Sequence, residues 1–484
     1  MYKNKVKKAI SILLCMAMVF LMPFATINAS ASGDIMGDVD GYGMVTSADA
    51  RLALRFSSRL ITLTTKQQRL ADIDFDGTVT AADARIILRI SSRLEQPIDQ
   101  TPCAWSVTSQ YASKTWYPNE YHIYPAADVA YTAYKVAGYN SYLETQPTVD
   151  IMRGKHDTGR KRMSSDILFF AGHANYNHMA FEYMRLGGDY LTGIYYTAED
   201  FDSPSGYKYA GLGNMVLVNL VTFAGCYTAK GDENLASRAV DFGATAAVGW
   251  TWKINYIDAV SWLREYNSKL ADGFSVAYAI AYANSEAVFP FTAAASVKHY
   301  GDTTLKINNN RSGELEFANL IDLAVKNAVV VTACQVDVDA IANIISASIR
   351  GFDVNEYKIL PSGEIYDGFY TVHYIKMIDD YETNSVITAV VRDGILTDVV
   401  DKSIASDSRK SELSLTKPST AFEKTALKAA EEECLASGRM EVITQEVRYF
   451  YDIDKNEKSI FIFTEYCYDG TTAKGVHTYK VIID

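Results

Sequence analysis

Apolar residues fall along the chain in four patterns, each predicting a different kind of structure. The first is a single block. Ala9 to Phe24 is almost wholly apolar, follows Lys3, Lys5, Lys7 and Lys8, and gives way to Ala29-Ser30-Ala31. A basic flank, a short apolar run and a small-residue end form the layout of a removable secretory signal, residues 1–31, with cleavage after Ala31. The alternative is a retained anchor, but a spanning helix needs roughly 20 apolar residues. No later segment is long and apolar enough to cross a bilayer, so the expectation is a secreted, extracellular chain.

The second pattern is a repeat. The stretch from Ser47 to Leu60 reads Ser-Ala-Asp-Ala-Arg-Leu-Ala-Leu-Arg-Phe-Ser-Ser-Arg-Leu. It returns 34 residues on, from Ala81 to Leu94, as Ala-Ala-Asp-Ala-Arg-Ile-Ile-Leu-Arg-Ile-Ser-Ser-Arg-Leu. Both copies carry helical periodicity, and both follow an acidic, glycine-containing loop. Beyond a short linker at Pro97 to Pro102 the pattern changes to alternating strands and helices. Ala126–Val136 predicts a helix, Ile167–Phe170 and Val216–Phe223 buried strands, Glu233–Val240 a helix, Ala244–Trp250 a strand and Ile257–Leu270 a helix. Such alternation predicts an α/β domain with a mainly parallel sheet. From 311 onward the pattern is α+β. Ala318–Ala328, Val338–Ser348 and Ala421–Ser437 predict helices. Tyr370–Met377, Ser385–Val391, Glu441–Ile453 and Ser459–Tyr468 predict strands, the last two a hairpin around Asp454 to Lys458.

Length agrees with this division. At domain sizes of roughly 100–200 residues, a chain of 484 holds about three domains. A net charge of −12 argues against nucleic acid and anionic membranes as partners. Cys15 leaves with the signal; Cys103, Cys226, Cys334, Cys434 and Cys467 remain, an odd number without paired spacing. That is not a disulfide framework, and at least one thiol is expected to be free. Among the last three, core thiols and one disulfide plus one free thiol are both open.

The acidic loops carry the first chemistry. Asp38, Asp40, Met44 and Asp49 take places 1, 3, 7 and 12 of one loop; Asp72, Asp74, Asp76, Thr78 and Asp83 take places 1, 3, 5, 7 and 12 of the other. Gly43 and Gly77 stand at place 6, where a calcium loop turns sharply, and Val45 and Val79 at place 8 supply an apolar contact between paired loops. Carboxylates at these places, with the main-chain carbonyl of place 7, give a hard-oxygen shell suited to Ca2+. Tyr42 replaces the ligand at place 5 of the first loop, which is therefore expected to bind more weakly. Over residues 33–97 the doubled pattern resembles a type I dockerin, an all-α pair of EF-hand-like units. The resemblance implies structural calcium and docking onto a cohesin domain of a scaffoldin. It also implies that the residues at places 10 and 11 face the cohesin: Ser47 and Ala48 in one repeat, Ala81 and Ala82 in the other, with Arg51 and Arg85 beside them. The two sets are nearly equivalent, so either repeat is a candidate docking face.

The second chemistry lies in the α/β region. Two predicted strands end alike: Phe169-Phe170-Ala171-Gly172-His173-Ala174 and Thr222-Phe223-Ala224-Gly225-Cys226-Tyr227. Ligands of an open α/β sheet bind outside the carboxyl ends of its strands. If the two strands are neighbours, an imidazole and a thiol meet at that rim. Such a pair performs nucleophilic catalysis: the imidazole takes the thiol proton and returns it to the leaving amine. The N–H groups of Gly172 and Cys226 are candidates for stabilising an oxyanion. His178 is a competing base, better explained as a surface-loop residue. Cys103 looks incidental, and His122, His156 and His299 have no evident partner. No paired ligand spacing supports zinc.

His173 after one strand and Cys226 after the next, 53 residues on, resemble the caspase-like cysteine peptidases of the gingipain and clostripain group. The resemblance covers 101–310. Asn234–Val240 with Gly243–Trp250 resembles the helix and strand after the nucleophile, Trp250-Thr-Trp252 the substrate-side loop, and Gly301-Asp302-Thr-Thr-Leu305 the closing turn, with Thr303 where relatives have Pro. Ala174 stands where many relatives have a second Gly. The resemblance implies an endopeptidase needing no cofactor for catalysis. Several such relatives cut after Arg using an acidic pocket; Asp232, Glu233, Asp258 and Asp272 are the nearest acids and nothing ranks them. Residues 311–484 show no catalytic constellation; an inhibitory, substrate-presenting or adhesion role stays open.

Two other classes compete. A dockerin-bearing carbohydrate-active enzyme requires two carboxylates flanking a sugar cleft, and no convincing pair is found. A non-catalytic binding protein with a vestigial dyad is the other.

Overall fold

A computed structural model describes residues 35–74, 78–97, 102–109, 124–157, 160–181, 184–187, 208–308, 319–323, 325, 328–332, 335–403, 415–435, 440–468 and 474–483. The expected signal, Asp76, His122 and Cys334 lie outside these.

The repeat folds into matched helices. α1 (Ser47–Ser57) and α3 (Ala81–Ser91) begin at Thr46 and Thr80, whose hydroxyls accept the N–H of Ala48 and Ala82, while Asp49 and Asp83 reach back to the cap backbone. This reciprocal capping satisfies helix N–H groups that otherwise lack partners. Between them runs α2 (Thr65–Ala71). Ala53, Leu63, Ile73, Ile87 and Ile90 form a shared apolar core. The unit rests on the rest of the chain through Met36, Leu70 and Leu217.

The middle region is a three-layer α/β arrangement. Its elements are β1 (Cys103–Val107), α4 (Tyr124–Val136), β2 (Asn140–Glu144), α5 (Val149–Arg153), β3 (Ile167–Ala171), β4 (His173–Ala174), β5 (His178–Ala180), β6 (Met184–Gly187), β7 (Lys208–Gly211), β8 (Leu220–Ala224), α6 (Leu235–Asp241), β9 (Ala246–Trp250), α7 (Tyr256–Ala271), α8 (Val276–Ser285), α9 (Thr292–Ser296) and β10 (Val297–Gly301). One sheet has the order β10-β9-β8-β3-β1-β2, all parallel except β10. β1, β3, β8 and β9 are buried along their whole length, as central strands covered on both faces must be. Strand periodicity divides the side chains: Ile167, Phe169 and Ala171 join the core under α4, α7 and α8, and Leu168 and Phe170 join that under α6.

Two expectations shift here. The strand expected over Val216–Phe223 begins only at Leu220, because Met215 to Val218 forms a turn that buries Met215 and Val218 beneath the sheet. Cys103 is not incidental; it opens the central strand β1 and is buried there.

The rest comprises β11 (Ala328–Val329), β12 (Val331–Thr332), β13 (Gln335–Val336), α10 (Val338–Ser348), β14 (Tyr357–Pro361), β15 (Tyr370–Ile378), β16 (Tyr381–Arg392), β17 (Ile395–Lys402), α11 (Thr420–Leu435), β18 (Met440–Asp452), β19 (Glu457–Tyr468) and β20 (Lys474–Ile483). The helix expected over Ala318–Ala328 is absent from its described residues: Leu320 bridges to Val400, and Ala328 and Val329 pair with β17. Ile321 and Leu323 pack into the core of this sheet, so their apolar spacing was strand-side burial rather than a helical face. The hairpin around Asp454 is present as β18–β19. β17 and β20 were not anticipated. β20 runs antiparallel to β19 and then pairs with β4, so this sheet continues through β4 and β5 into β6 and β7. Sheet pairing therefore crosses the boundary expected at 310.

Candidate active site and metal loops

β3 and β8 are adjacent and in register, Phe170 opposite Phe223 and Ala171 opposite Ala224. The next residues, Gly172 with Gly225 and His173 with Cys226, leave the sheet side by side. The chains cross tightly here. A Cβ on Gly225 would lie 2.7 Å from the Gly172 carbonyl oxygen and from Ala174 Cβ. The Thr228 hydroxyl donates to the Phe223 carbonyl at 2.9 Å and closes the turn that presents Cys226. Tyr227 takes a left-handed conformation, φ 64°, with its N–H on the Trp252 carbonyl at 3.1 Å.

His173 and Cys226 open into one cleft of about 690 Å³, part of it continuous with solvent. Each is 4% exposed. The Cys226 thiol donates to the Ile254 carbonyl over 3.8 Å. Burial pushes the thiol up to about 11; Glu465 acts in the same sense, and Lys253 and Lys474 oppose it. The Gly172 N–H donates to the Ala224 carbonyl at 3.2 Å. It is therefore committed to the strand ladder and withdraws from the oxyanion assignment.

The far wall comes from the C-terminal sheet: Tyr466, Lys474, Gly475, Val476 and His477 line the same cleft. The Tyr466 hydroxyl lies 3.4 Å from His173 Nε2. Glu465, one residue earlier, accepts the Tyr227 hydroxyl and the Lys474 ammonium, each at 3.0 Å, with Lys253 at 3.6 Å. Burial works to raise the Glu465 carboxyl, but these partners outweigh it and hold it below its ordinary value. Sequence reasoning missed all of these residues. Only Gly475 carried a signal: a lone glycine inside a strand marks close backbone approach.

The acids named from sequence do not line the cleft. Asp258 is sealed at 2% exposure, with Oδ2 accepting the Ala293 N–H at 2.8 Å and the Thr292 hydroxyl at 3.0 Å. Glu233 pairs with Arg238, and Asp272 with Lys269. Trp250 is buried in β9, its indole donating to the Ala293 carbonyl, whereas Trp252 is half exposed beside Tyr227. Gly301 fits the closing turn at φ 82°, where a Cβ would lie 2.2 Å from the Thr245 carbonyl oxygen. His178 is on β5, half-buried against Asn177 rather than in a surface loop. His156 stacks on Tyr142, and His299 is buried in β10. Cys103, Cys226, Cys434 and Cys467 are free thiols, with no disulfide among the described residues.

The two loops each gather three carboxylates. Asp38, Asp40 and Asp49 lie within 4.8 Å of one another, as do Asp72, Asp74 and Asp83. Asp49 and Asp83 are fully buried, and the mutual repulsion of carboxylates so close would be relieved by a cation between them. Burial, with Asp49 and Asp38 adding, raises the Asp40 carboxyl. The donor sets fit Ca2+. Tyr42 is 84% exposed and supplies no ligand. The Met44 side chain is exposed, which leaves its carbonyl as the group on offer at place 7; Thr78 at the same place of the second loop is likewise exposed. The second loop is also tied to the middle region: Asn214 donates to Asp72 Oδ2 at 3.2 Å and to the Arg69 carbonyl, and Lys161 donates to the Asp74 carbonyl. Ser47, Arg51, Ala81 and Arg85 are exposed; Ala48 and Ala82 are half-buried. The repeats present matched apolar residues, Leu54 and Leu88 each 47% exposed.

No helix among the described residues is long and apolar enough to cross a membrane. The family model of the type I dockerin domain matches residues 36–90. Domains of this type bind calcium structurally and bind the cohesin domains of scaffoldins, and the domain indicates an extracellular, cellulosome-associated protein. No curated protein matches the chain, and no family match accompanies the caspase-like resemblance of 101–310.

Proposed function

We propose that the chain is a secreted cysteine endopeptidase, held to a scaffoldin cohesin by its calcium-loaded dockerin, with Cys226 as nucleophile and His173 as base. One observation carries the reading: two neighbouring parallel strands, in register, end in Gly-His and Gly-Cys that face a common cleft. On substrate binding, His173 takes the Cys226 proton as sulfur attacks the scissile carbonyl carbon, because burial leaves little thiolate beforehand. The Cys226 N–H is the candidate oxyanion donor. The imidazolium then protonates the leaving amine, and water hydrolyses the thioester with His173 again as base. This chemistry requires no cofactor. None of the four acids named from sequence lines the cleft, so the proposal carries no preference for basic side chains. Calcium belongs to the dockerin loops, where Asp38, Asp40 and Asp49, and Asp72, Asp74 and Asp83, are the carboxylate ligands.

A thiol-directed acyloxymethyl ketone peptide tests the proposal. Labelling at Cys226, abolished in Cys226→Ala and strongly reduced in His173→Ala, is expected. Folded protein that stays unlabelled across a panel of such peptides would refute it, and hydrolysis of xylan or cellulose by that protein would instead establish a carbohydrate-active enzyme.

A further inference from the structure

An imidazole serves as base only when its ring is fixed with one nitrogen turned to the thiol, and the partner of the other nitrogen sets that orientation. His173 stands on β4, a strand of two residues. It cannot be held by its own short strand alone, so its support must come from what packs on it.

That support is the C-terminal hairpin. Tyr466 on β19 is 3% exposed and places its hydroxyl 3.4 Å from His173 Nε2, with the two rings edge to face at 5.6 Å and 73°. Directly across the ladder from Tyr466 is Gly475 on β20. A Cβ at Gly475 would lie 2.6 Å from His173 Nδ1 and equally close to Tyr466 Cζ and Oη. The bare backbone of β20 is thus pressed against both rings, and only glycine allows them to meet. The neighbouring pair Lys474 and Ala174 joins β20 to β4, fixing the hairpin to the strand that bears His173. A second tie runs from the preceding residue, Glu465, to the hydroxyl of Tyr227, the residue after Cys226. Two consecutive residues of β19 therefore reach both halves of the dyad.

We infer that Tyr466 is a positioning residue for His173, and that β19 and β20 are constituents of the reaction site rather than parts of an accessory module. This rests on the dyad proposed above. The hydroxyl bonds Nε2 and orients the imidazole, so that Nδ1, beside the bare Cα of Gly475, is the nitrogen left to take the thiol proton. Gly475 keeps the two rings in contact. Hydrogen bonds of this kind are commonly long without substrate and tighten in the complex.

The test needs no known substrate. Alkylation of Cys226 by iodoacetamide, followed by peptide mass between pH 6 and 10 on the full calcium-loaded chain, reads the thiol as His173 conditions it. Tyr466→Phe is expected to slow alkylation near neutral pH about two- to tenfold, the factor corresponding to one net hydrogen bond, and to move the profile toward that of His173→Ala. Gly475→Ala, whose methyl group separates the rings, is expected to shift it in the same direction. Tyr449→Phe, which removes from β18 a hydroxyl bonded to Glu423 on α11, should keep the wild-type profile. The nitrogen chemical shifts of the His173 ring give a second readout: a single dominant tautomer in wild type, a mixture in Tyr466→Phe. If His173→Ala slows alkylation while both Tyr466→Phe and Gly475→Ala retain or exceed the wild-type rate, the inference is overturned and the dyad stands. If His173→Ala itself changes nothing, the dyad fails and the inference falls with it.

Discussion

Asp258 looked from sequence like a candidate for recognising substrate, and its surroundings predict a different effect. Its carboxylate sits at the start of α9, accepting the Ala293 N–H at 2.8 Å and the Thr292 hydroxyl, and it is 2% exposed. Burial pushes it from 3.8 up to about 7, with the Ala293 and Thr292 bonds opposing. An acid whose folded pKa lies above its unfolded one binds its proton more tightly when folded. Its folded state therefore loses relative stability as pH rises between the two values, and the loss is complete above about 7. The shift corresponds to an upper bound of ~4 kcal/mol at pH 8. Asp258→Asn keeps one acceptor for Ala293 and cannot ionise. The melting temperature of the variant minus that of wild type should thus climb steadily from pH 4.5 to 8.5. At about 2–4 °C per kcal/mol for a unit of 150–250 residues, the climb is at most ~8–16 °C. Differential scanning fluorimetry at half-unit pH steps reads it directly. A difference that is flat with pH, or that falls as pH rises, would refute the reasoning, since it would mean that the buried carboxyl is already ionised at low pH.

Other predictions concern the loops and the buried histidines. Chelation of calcium should abolish cohesin binding measured by calorimetry, and Asp72→Ala should weaken it more than Asp38→Ala, because the first loop already lacks a ligand at Tyr42. Asn214→Ala removes the donor to Asp72 Oδ2 and the Arg69 carbonyl and should lower calcium affinity at the second loop by about two- to tenfold, read by terbium luminescence on the full chain, with the first loop unchanged. His299 and His373 are buried and lowered from 6.5 to about 4 by that burial. A base with a depressed folded pKa contributes stability that is present above about 6.5 and lost as pH falls toward 4, up to ~3 kcal/mol each. His373→Gln should accordingly flatten the acid limb of the melting curve between pH 6.5 and 4.

What the sequence revealed, it revealed through redundancy or continuity. The repeat states its loops twice, so Asp49 and Asp83 were readable as a pattern rather than as single residues, whereas the caps at Thr46 and Thr80 emerged only from the fold. The runs at Ile167 and Ala244 are continuous because central parallel strands are covered on both faces, and the twin Gly-His and Gly-Cys ends mark where that cover stops. Glu465 and Tyr466 had no such signal. They sit inside a strand buried without a break from Ser459 to Tyr466, and their meaning comes from a pairing between β20 and β4 that joins residues 300 apart in the chain. Asp258 misled for the opposite reason: proximity in sequence to the loop after β9 suggested the cleft, while helical phase turned the side chain into the interior. Ala318 to Ala328 misled because alternating burial and a helical stripe are indistinguishable in a short apolar stretch.

The composite cleft follows from how this sheet ends. β3 and β8 leave the parallel sheet after Ala171 and Ala224, and the chain from His173 onward needs partners for its backbone N–H and C=O groups. An uncovered edge at β4 would also offer itself to other chains. β20 removes both problems by pairing there, and its position brings Tyr466, Lys474 and Gly475 to the rim where the imidazole and thiol emerge. The same contact that completes the sheet therefore helps enclose His173 and Cys226, each 4% exposed, and burial raises the thiol. On the proposed peptidase reading, enclosure has a chemical consequence: a thiol kept protonated by burial would depend on His173 as its base at the moment of attack, so the orientation of that ring would carry more weight than it would for an exposed thiolate. The residues proposed to fix that orientation, Tyr466 and Gly475, come from β19 and β20, which would tie such chemistry in the middle region to completion of the C-terminal sheet.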